Sequence, residues 1–209
     1  VPENKIHVIY EGVDLKFVPI YAAQRLSDVR RKYNLPDRFI LHLGTIEPRK
    51  NLPLLFEAIK DSTQHLVVAG KLGWLTDPIV AKVKELGLEG RVHFTGFIDD
   101  EDLPALISCA ALVAMPSKYE GFGLPVLEAM ACGVPVIASN TSSLPEVGGT
   151  AVLYAPPDDV RAWIELIDRV MGDNALRADM VDRGLKQSSK FRWLDTAAQT
   201  IEVYHHARS

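Results

Sequence analysis

One pattern recurs through the first half of the chain: an apolar run of strand length ends in a small residue and is followed by a stretch with helical spacing. Such runs occupy 39–44 (FILHLG), 66–70 (LVVAG), 92–96 (VHFTG) and 112–116 (LVAMP), with helical spacing over 52–60, 79–86 and 103–110. Strands alternating with helices imply right-handed βαβ crossovers and a parallel sheet. Asn51, Asp77 with Pro78 behind it, and the acids of 99–102 are credible helix starts. Further strands are expected at 134–138 and 151–154, helices at 160–171, 175–188 and 193–205, and a short extended run at 5–10. One doubly wound α/β domain over 1–209, with helices on both faces of a parallel sheet and a helical tail over 189–209, accounts for the whole chain.

Glycines at three strand ends in succession point to a cleft. Open parallel sheets bind ligands beyond the carboxyl ends of their strands, where loops must let backbone approach closely. Turn formation is the alternative use of each glycine. The net charge of −4 argues against a nucleic-acid partner, since neutralising phosphates takes a clear Lys/Arg excess. Cys109 and Cys132 sit in apolar, Ala-rich surroundings without a CxxC pair and are expected to be buried free thiols of a reducing compartment. No apolar run approaches the ~18 residues of a membrane span.

Segment 116–133 (PSKYEGFGLPVLEAMACG) carries the most chemistry. A strand ends at Pro116, a loop delivers Gly121-Phe122-Gly123, and Pro125 marks the first turn of a helix running to Cys132. Glycines before a helix N-terminus expose unpaired N–H groups at the positive end of the dipole, an anion site. The helix is apolar nearly all round, so it should be buried, and Glu128 is its one charged residue. A buried carboxylate needs a cation, a pocket rim or donor hydroxyls; a salt bridge to a neighbouring Lys or Arg serves as well as a ligand.

These residues resemble a known family. Glu120 and Glu128, with seven residues between them and Gly-Phe-Gly inside, look like the E-x7-E signature of family 4 retaining glycosyltransferases. The run Gly44-Thr45-Ile46-Glu47-Pro48-Arg49-Lys50-Asn51 looks like that family's donor-phosphate loop. The opening Val8 to Asp14 resembles the linker into the second domain, and Phe191-Arg192-Trp193 the start of the last helix. The resemblance implies the C-terminal, donor-binding, Rossmann-like half of a GT-B fold. Its tail helix would cross back to an N-terminal domain, and the half would be inactive alone.

The resemblance also implies roles. Arg49 and Lys50 would hold the donor diphosphate and stabilise the leaving charge, with Gly44 and Thr45 in the same loop. Gly121, Phe122, Gly123 and Leu124 would present backbone N–H groups to the sugar and distal phosphate. Glu120 would bind sugar hydroxyls, Glu128 both ribose hydroxyls, and backbone near Phe97 and Ile98 the base. Lys71, in Gly70-Lys71-Leu72-Gly73-Trp74, is similar to a run in bacterial mannosyltransferase-like enzymes and would sit near the phosphates or base. GDP-mannose is thereby favoured over a UDP-sugar as donor. No cofactor or metal is expected. The acceptor, a glycan or lipid-linked sugar of bacterial polysaccharide or glycoconjugate synthesis, would bind the other domain, in a cytoplasmic enzyme peripheral to the inner membrane face. For Arg49 and Lys50 the plain alternative is a solvated charge pair before a helix.

Other signals are weaker. Asp100-Glu101-Asp102 is literally a D-x-D metal motif, but its place at a helix start favours the dipole reading. His42 is expected in the core or at the cleft edge, and no His pair has zinc spacing. Asn140-Thr141-Ser142 matches a glycosylation sequon by pattern only; its polar loop could line the cleft. Rival functions are a sugar-nucleotide epimerase half, for which an acid/base set is missing, and a non-catalytic nucleotide-binding module. A glycosidase pair of Glu120 and Glu128 would leave the phosphate loops without purpose.

Overall fold

The alternation of side chains along a strand sorts the apolar residues into two layers. In the computed structural model, which describes residues 2–207, six parallel strands carry this pattern. They are β1 (Phe39–Leu43), β2 (His65–Ala69), β3 (Val92–Gly96), β4 (Leu112–Met115), β5 (Val136–Ser139) and β6 (Leu153–Ala155). Residues 1, 208 and 209 of the expected domain and tail lie outside the described residues. Phe39, Leu41, Val67, Val113, Met115, Val136 and Ala138 share one core with α1 (Ala23–Lys32), α4 (Leu103–Cys109), α5 (Leu124–Ala131) and α6 (Leu144–Gly148). Ile40, Leu66, Val68, Leu112, Ala114 and Ile137 share the other with α2 (Leu52–Ile59), α3 (Asp77–Glu85) and α7 (Val160–Gly172). Two more helices, α8 (Asn174–Ser188) and α9 (Trp193–His206), close the chain.

The sheet order is β3-β2-β1-β4-β5-β6, with Ile40 in register with Leu66 on one side and Leu112 on the other. The chain therefore winds outward from β1, returns, and winds outward again from β4. The reversal between β1 and β4 opens a crevice at the carboxyl ends of these two strands, the place where doubly wound sheets bind ligands.

The structure adds detail to three expectations. Residues 5–10 join no sheet; Ile6 and Val8 are exposed, and an extended segment without a partner strand is left outside the ladder. Asn51 does not cap α2 with its side chain: at φ +56° its amide instead donates to the Pro116 and Pro157 carbonyls (3.1 and 2.7 Å). Asp102 precedes α4 but makes no capping bond. Its buried carboxylate takes Lys32 Nζ (2.5 Å), Arg25 Nη2 (2.7 Å) and the Tyr33 hydroxyl (2.8 Å), and the Lys32 bond leads in holding it below the usual carboxylate range. An ion-paired acid outweighs a dipole contact at a buried position.

The chain's first and last segments meet in one seam. A Cβ on Gly12 would lie 2.1 Å from the Trp193 nitrogen, and the Val13 N–H donates to the Phe191 carbonyl (3.0 Å). Helix α9 has no buried residue among those described, and Trp193, Leu194, Ile201 and Tyr204 are exposed on it. Among the described residues no helix is long and apolar enough to cross a membrane, and both cysteines are free and buried.

The ends of β1 and β2 touch through backbone alone: a Cβ on Gly70 would stand 2.0 Å from the Gly44 oxygen. Gly70→Ala is expected to destabilise the protein by ~1–3 kcal/mol through this overpacking, read as a lower denaturant midpoint at unchanged m-value. A midpoint equal to the parent's would show that the two loops separate freely.

Candidate functional site

The loop after β1 makes a 3-10 turn at Pro48–Lys50 and sends two cations into the crevice. Gly44, at φ +130°, has no side chain because the Lys50 ammonium occupies that space; a Cβ there would lie 3.2 Å from Lys50 Nζ. Lys50 is 6% exposed, and its ammonium donates to Glu120 Oε1 (2.7 Å). Arg49 donates from Nη1 to Glu120 Oε2 (2.9 Å) and to the Tyr119 carbonyl (2.6 Å). A hydrogen bond from the Lys118 N–H to the Arg49 carbonyl (2.9 Å) ties the two loops together again. Burial works against ionising Glu120, yet the bonds and charges of Lys50 and Arg49 hold its carboxyl below the usual range. The loops after β1 and β4 are thus joined by one carboxylate between two cations.

The polar loop after β5 fastens Glu120 from the other side. Ser142 Oγ accepts from the Glu120 N–H (2.9 Å), and the Ser143 hydroxyl donates to the Glu120 carbonyl (3.1 Å). Beyond Glu120 the backbone opens into Gly121, exposed, and Gly123, at φ +106°, immediately before α5. A hollow of about 440 Å³ is lined here by Ile9, Glu11 and residues 120–125, Phe122 and Leu124 among them. The Phe122 ring meets Tyr10 and Phe191 at centroid distances of 6.2 and 6.0 Å, so the loop rests on the seam between the chain's first and last segments.

Glu128 lies on α5 among buried Val126, Leu127, Ala129 and Met130. It makes no hydrogen bond or ion pair among the described residues, and burial pushes its carboxyl up to about 7; Lys16 eases the shift, while Asp100 and Asp14 add to it. Phe97 is 58% exposed with the Lys71 ammonium 4.5 Å above its ring, whereas the Ile98 side chain is core. Thr45 is exposed beside Gly73. His42 is fully buried, its Nδ1 3.0 Å from the Ala114 carbonyl, and burial drives its pKa down to about 4.

The cations, the glycine loop and Glu120 therefore come together at the crevice, Glu128 stands further along α5 without a side-chain hydrogen bond or ion pair to them, and Lys71 keeps company with Phe97 rather than with Glu120. Sequence reasoning passed over Glu47, Trp74 and the backbone role of Ser142 and Ser143. A Glu two residues before an Arg signals little on its own, and the serines bind main chain, which no side-chain pattern announces.

The raised pKa of Glu128 has a thermodynamic sign. The folded protein holds this proton more tightly than the unfolded chain, so the stability linked to it is full below the unfolded value of about 4.5 and is lost as pH rises through about 7. Glu128→Gln is expected to change stability little near pH 4 and to raise it by ~2 kcal/mol near pH 8, measured by denaturant titration. An equal effect at both pH values would mean that Glu128 ionises freely.

Residues 27–187 match the family described as glycosyl transferases group 1. The chain is 40% identical, over 97% of its length, to O-antigen chain mannosyltransferase B of Escherichia coli, of which it covers 55%. It thus spans no more than about half the length of the curated relatives it matches. Sucrose-phosphate synthase from Thermosynechococcus elongatus superposes with a TM-score of 0.85 at 32% identity, over 97% of this chain and 53% of that one. Alr3699/HepE of Anabaena, solved in complex with UDP, gives 0.85 at 25% identity over 96% and 57%. The fold is that of one Rossmann-like half of a GT-B enzyme. By family match and identity alike, the chain belongs to the glycosyl transferases group 1 family.

Proposed function

We propose that this chain is the donor half of a retaining hexosyltransferase, binding the nucleotide diphosphate sugar whose hexosyl group passes to an acceptor hydroxyl held by another domain, and that it is inactive alone. The carrying observation is the meeting of Arg49, Lys50, Glu120 and the Gly121–Leu124 backbone at the reversal of the sheet. Arg49 and Lys50 are paired in the structure, but not exhausted. A guanidinium has five N–H donors and an ammonium three. Arg49 spends four on Glu47, Glu120 and Tyr119, and Lys50 one on Glu120. The remaining donors, with the N-terminus of α5, would take the diphosphate and stabilise the charge that grows as it leaves. Each Glu120 oxygen keeps a lone pair for a sugar hydroxyl. Glu128, unpaired on its buried helix, would accept from both ribose hydroxyls, and backbone at Phe97 and Ile98 would meet the base. The leaving phosphate would help deprotonate the incoming hydroxyl on the same face, with no metal or cofactor needed.

GDP-mannose is favoured over a UDP-sugar by the likeness to O-antigen mannosyltransferases, although a neighbour of similar shape was solved with UDP. The acceptor, a glycan or lipid-linked sugar, and the residues completing catalysis would lie on another domain. The exposed apolar residues of α9 are a surface for that domain, with 189–209 crossing to it, in an enzyme working at the cytoplasmic face of a membrane.

Replacing Arg49 and Lys50 together by Gln is expected to weaken binding of GDP far more than of guanosine in calorimetric titration; equal losses would remove both from the phosphate site. Glu128→Gln is expected to cost ~1–3 kcal/mol of nucleotide affinity through lost bonds to a charged acceptor. Since diol binding favours the carboxylate, the parent should release a proton on binding near pH 7, seen as a buffer-dependent heat. Binding heats that follow no buffer's ionisation enthalpy would contradict the ribose assignment.

A further inference from the structure

We infer that Glu47 is a positioning residue: it sets the direction of Arg49's one free donor and clamps the loop between β2 and α3 onto the cleft rim through Trp74. This rests on the reading of Arg49 as a phosphate cation. Glu47 Oε1 accepts from Arg49 Nε (3.0 Å) and Nη2 (2.6 Å), while Oε2 accepts from the Trp74 indole N–H (3.2 Å). The Glu47 side chain is 15% exposed, so the acid at the centre of the clasp is mostly shielded, while Arg49 and Trp74 keep an exposed side.

Both partners are brought to Glu47 by backbone. Glu47 is extended (φ −154°, ψ 159°) and enters the 3-10 turn through Pro48, which places Arg49 back over it. On the other side, the Ile46 N–H donates to the Lys71 carbonyl (2.9 Å), and the Gly73 N–H donates to the Ile46 carbonyl (3.0 Å). A Cβ on Gly73 would lie 2.8 Å from both the Ile46 oxygen and Thr45 Cγ2. Only glycine lets the second loop lie flush on the first, and Trp74 follows at once. Its ring remains 60% exposed although its N–H is satisfied, beside exposed Leu72.

The donor count gives the consequence. Nη1 is spent on Tyr119 and Glu120, and Nε with half of Nη2 on Glu47, so the last Nη2 hydrogen points where Glu47 dictates. Without Glu47 the guanidinium is held only through Nη1, by Tyr119 and Glu120, and the Nε and Nη2 edge of a planar group that binds phosphate oxygens directionally loses its anchor.

The test is titration of GDP, guanosine, UDP and uridine into the parent protein and three variants. Glu47→Ala is expected to weaken the diphosphate that binds better by about tenfold or more, and its nucleoside by less than about twofold. Glu47→Gln keeps an acceptor for the guanidinium and is expected to restore affinity to within about threefold of the parent. Trp74→Phe removes the indole donor and is expected to leave guanidinium aim, and thus the preference of diphosphate over nucleoside, intact. Equal losses of diphosphate and nucleoside in Glu47→Ala, failure of Glu47→Gln to rescue, or a lost preference for diphosphate in Trp74→Phe would overturn the clasp while the phosphate reading stands. A parent that binds diphosphates no better than nucleosides would overturn the phosphate reading itself, and the clasp with it.

Discussion

A single carboxylate stands where the two halves of the sheet part company. Glu120 holds Lys50 at 2.7 Å and Arg49 at 2.9 Å, and these cations come from the loop of β1 while the acid comes from the loop of β4. Without it, the two neighbouring cations would repel each other and the loops of β1 and β4 would lose their ionic tie. With it, the crevice has a floor that is nearly neutral yet rich in spare N–H donors. The rest of the local architecture serves this contact: Gly44 leaves room for the ammonium, Ser142 and Ser143 hold the Glu120 main chain, and Asn51 links the strand ends through Pro116 and Pro157.

The fold was legible in the sequence because its signals are local and repeated. Each core strand is a short apolar run closed by a small residue, and the alternating layers of β1, β2, β4 and β5 follow from the side-chain period of two. What was missed lacks such a signal. Helix α1 buries only Val29 and starts at an Ala22 that makes no cap, so neither periodicity nor capping marked it. The acids at 99–102 did read as a helix start, but the burial of Asp102 against Lys32, Arg25 and Tyr33 depends on α1, which the sequence did not announce. The site divides in the same way. Arg49, Lys50, Glu120 and Glu128 stand out as charges set in apolar or glycine-rich runs, whereas the work of Glu47 is visible only once Trp74 is folded onto it.

Glu128 shows a conflict between folding and binding. An unpaired acid in a helix packed against the core is a liability in the empty protein, and its carboxyl answers by holding its proton up to about 7. A neutral or apolar residue there would fold more comfortably. Under the ribose reading proposed above, hydroxyls arriving from outside would supply the donors this carboxylate lacks in the empty protein.

The three rings of Tyr10, Phe122 and Phe191 lie within 5.9–6.2 Å of one another and belong to the opening segment, the glycine loop and the approach to α9. The segment that exposes its amides in the crevice is therefore packed through Phe122 against the seam at Gly12 and Trp193. Any adjustment of Phe122 must be passed on to both neighbours or resisted by them. Stiffness at this joint, rather than in the sheet, would then govern how far an occupied crevice is felt at the start of α9.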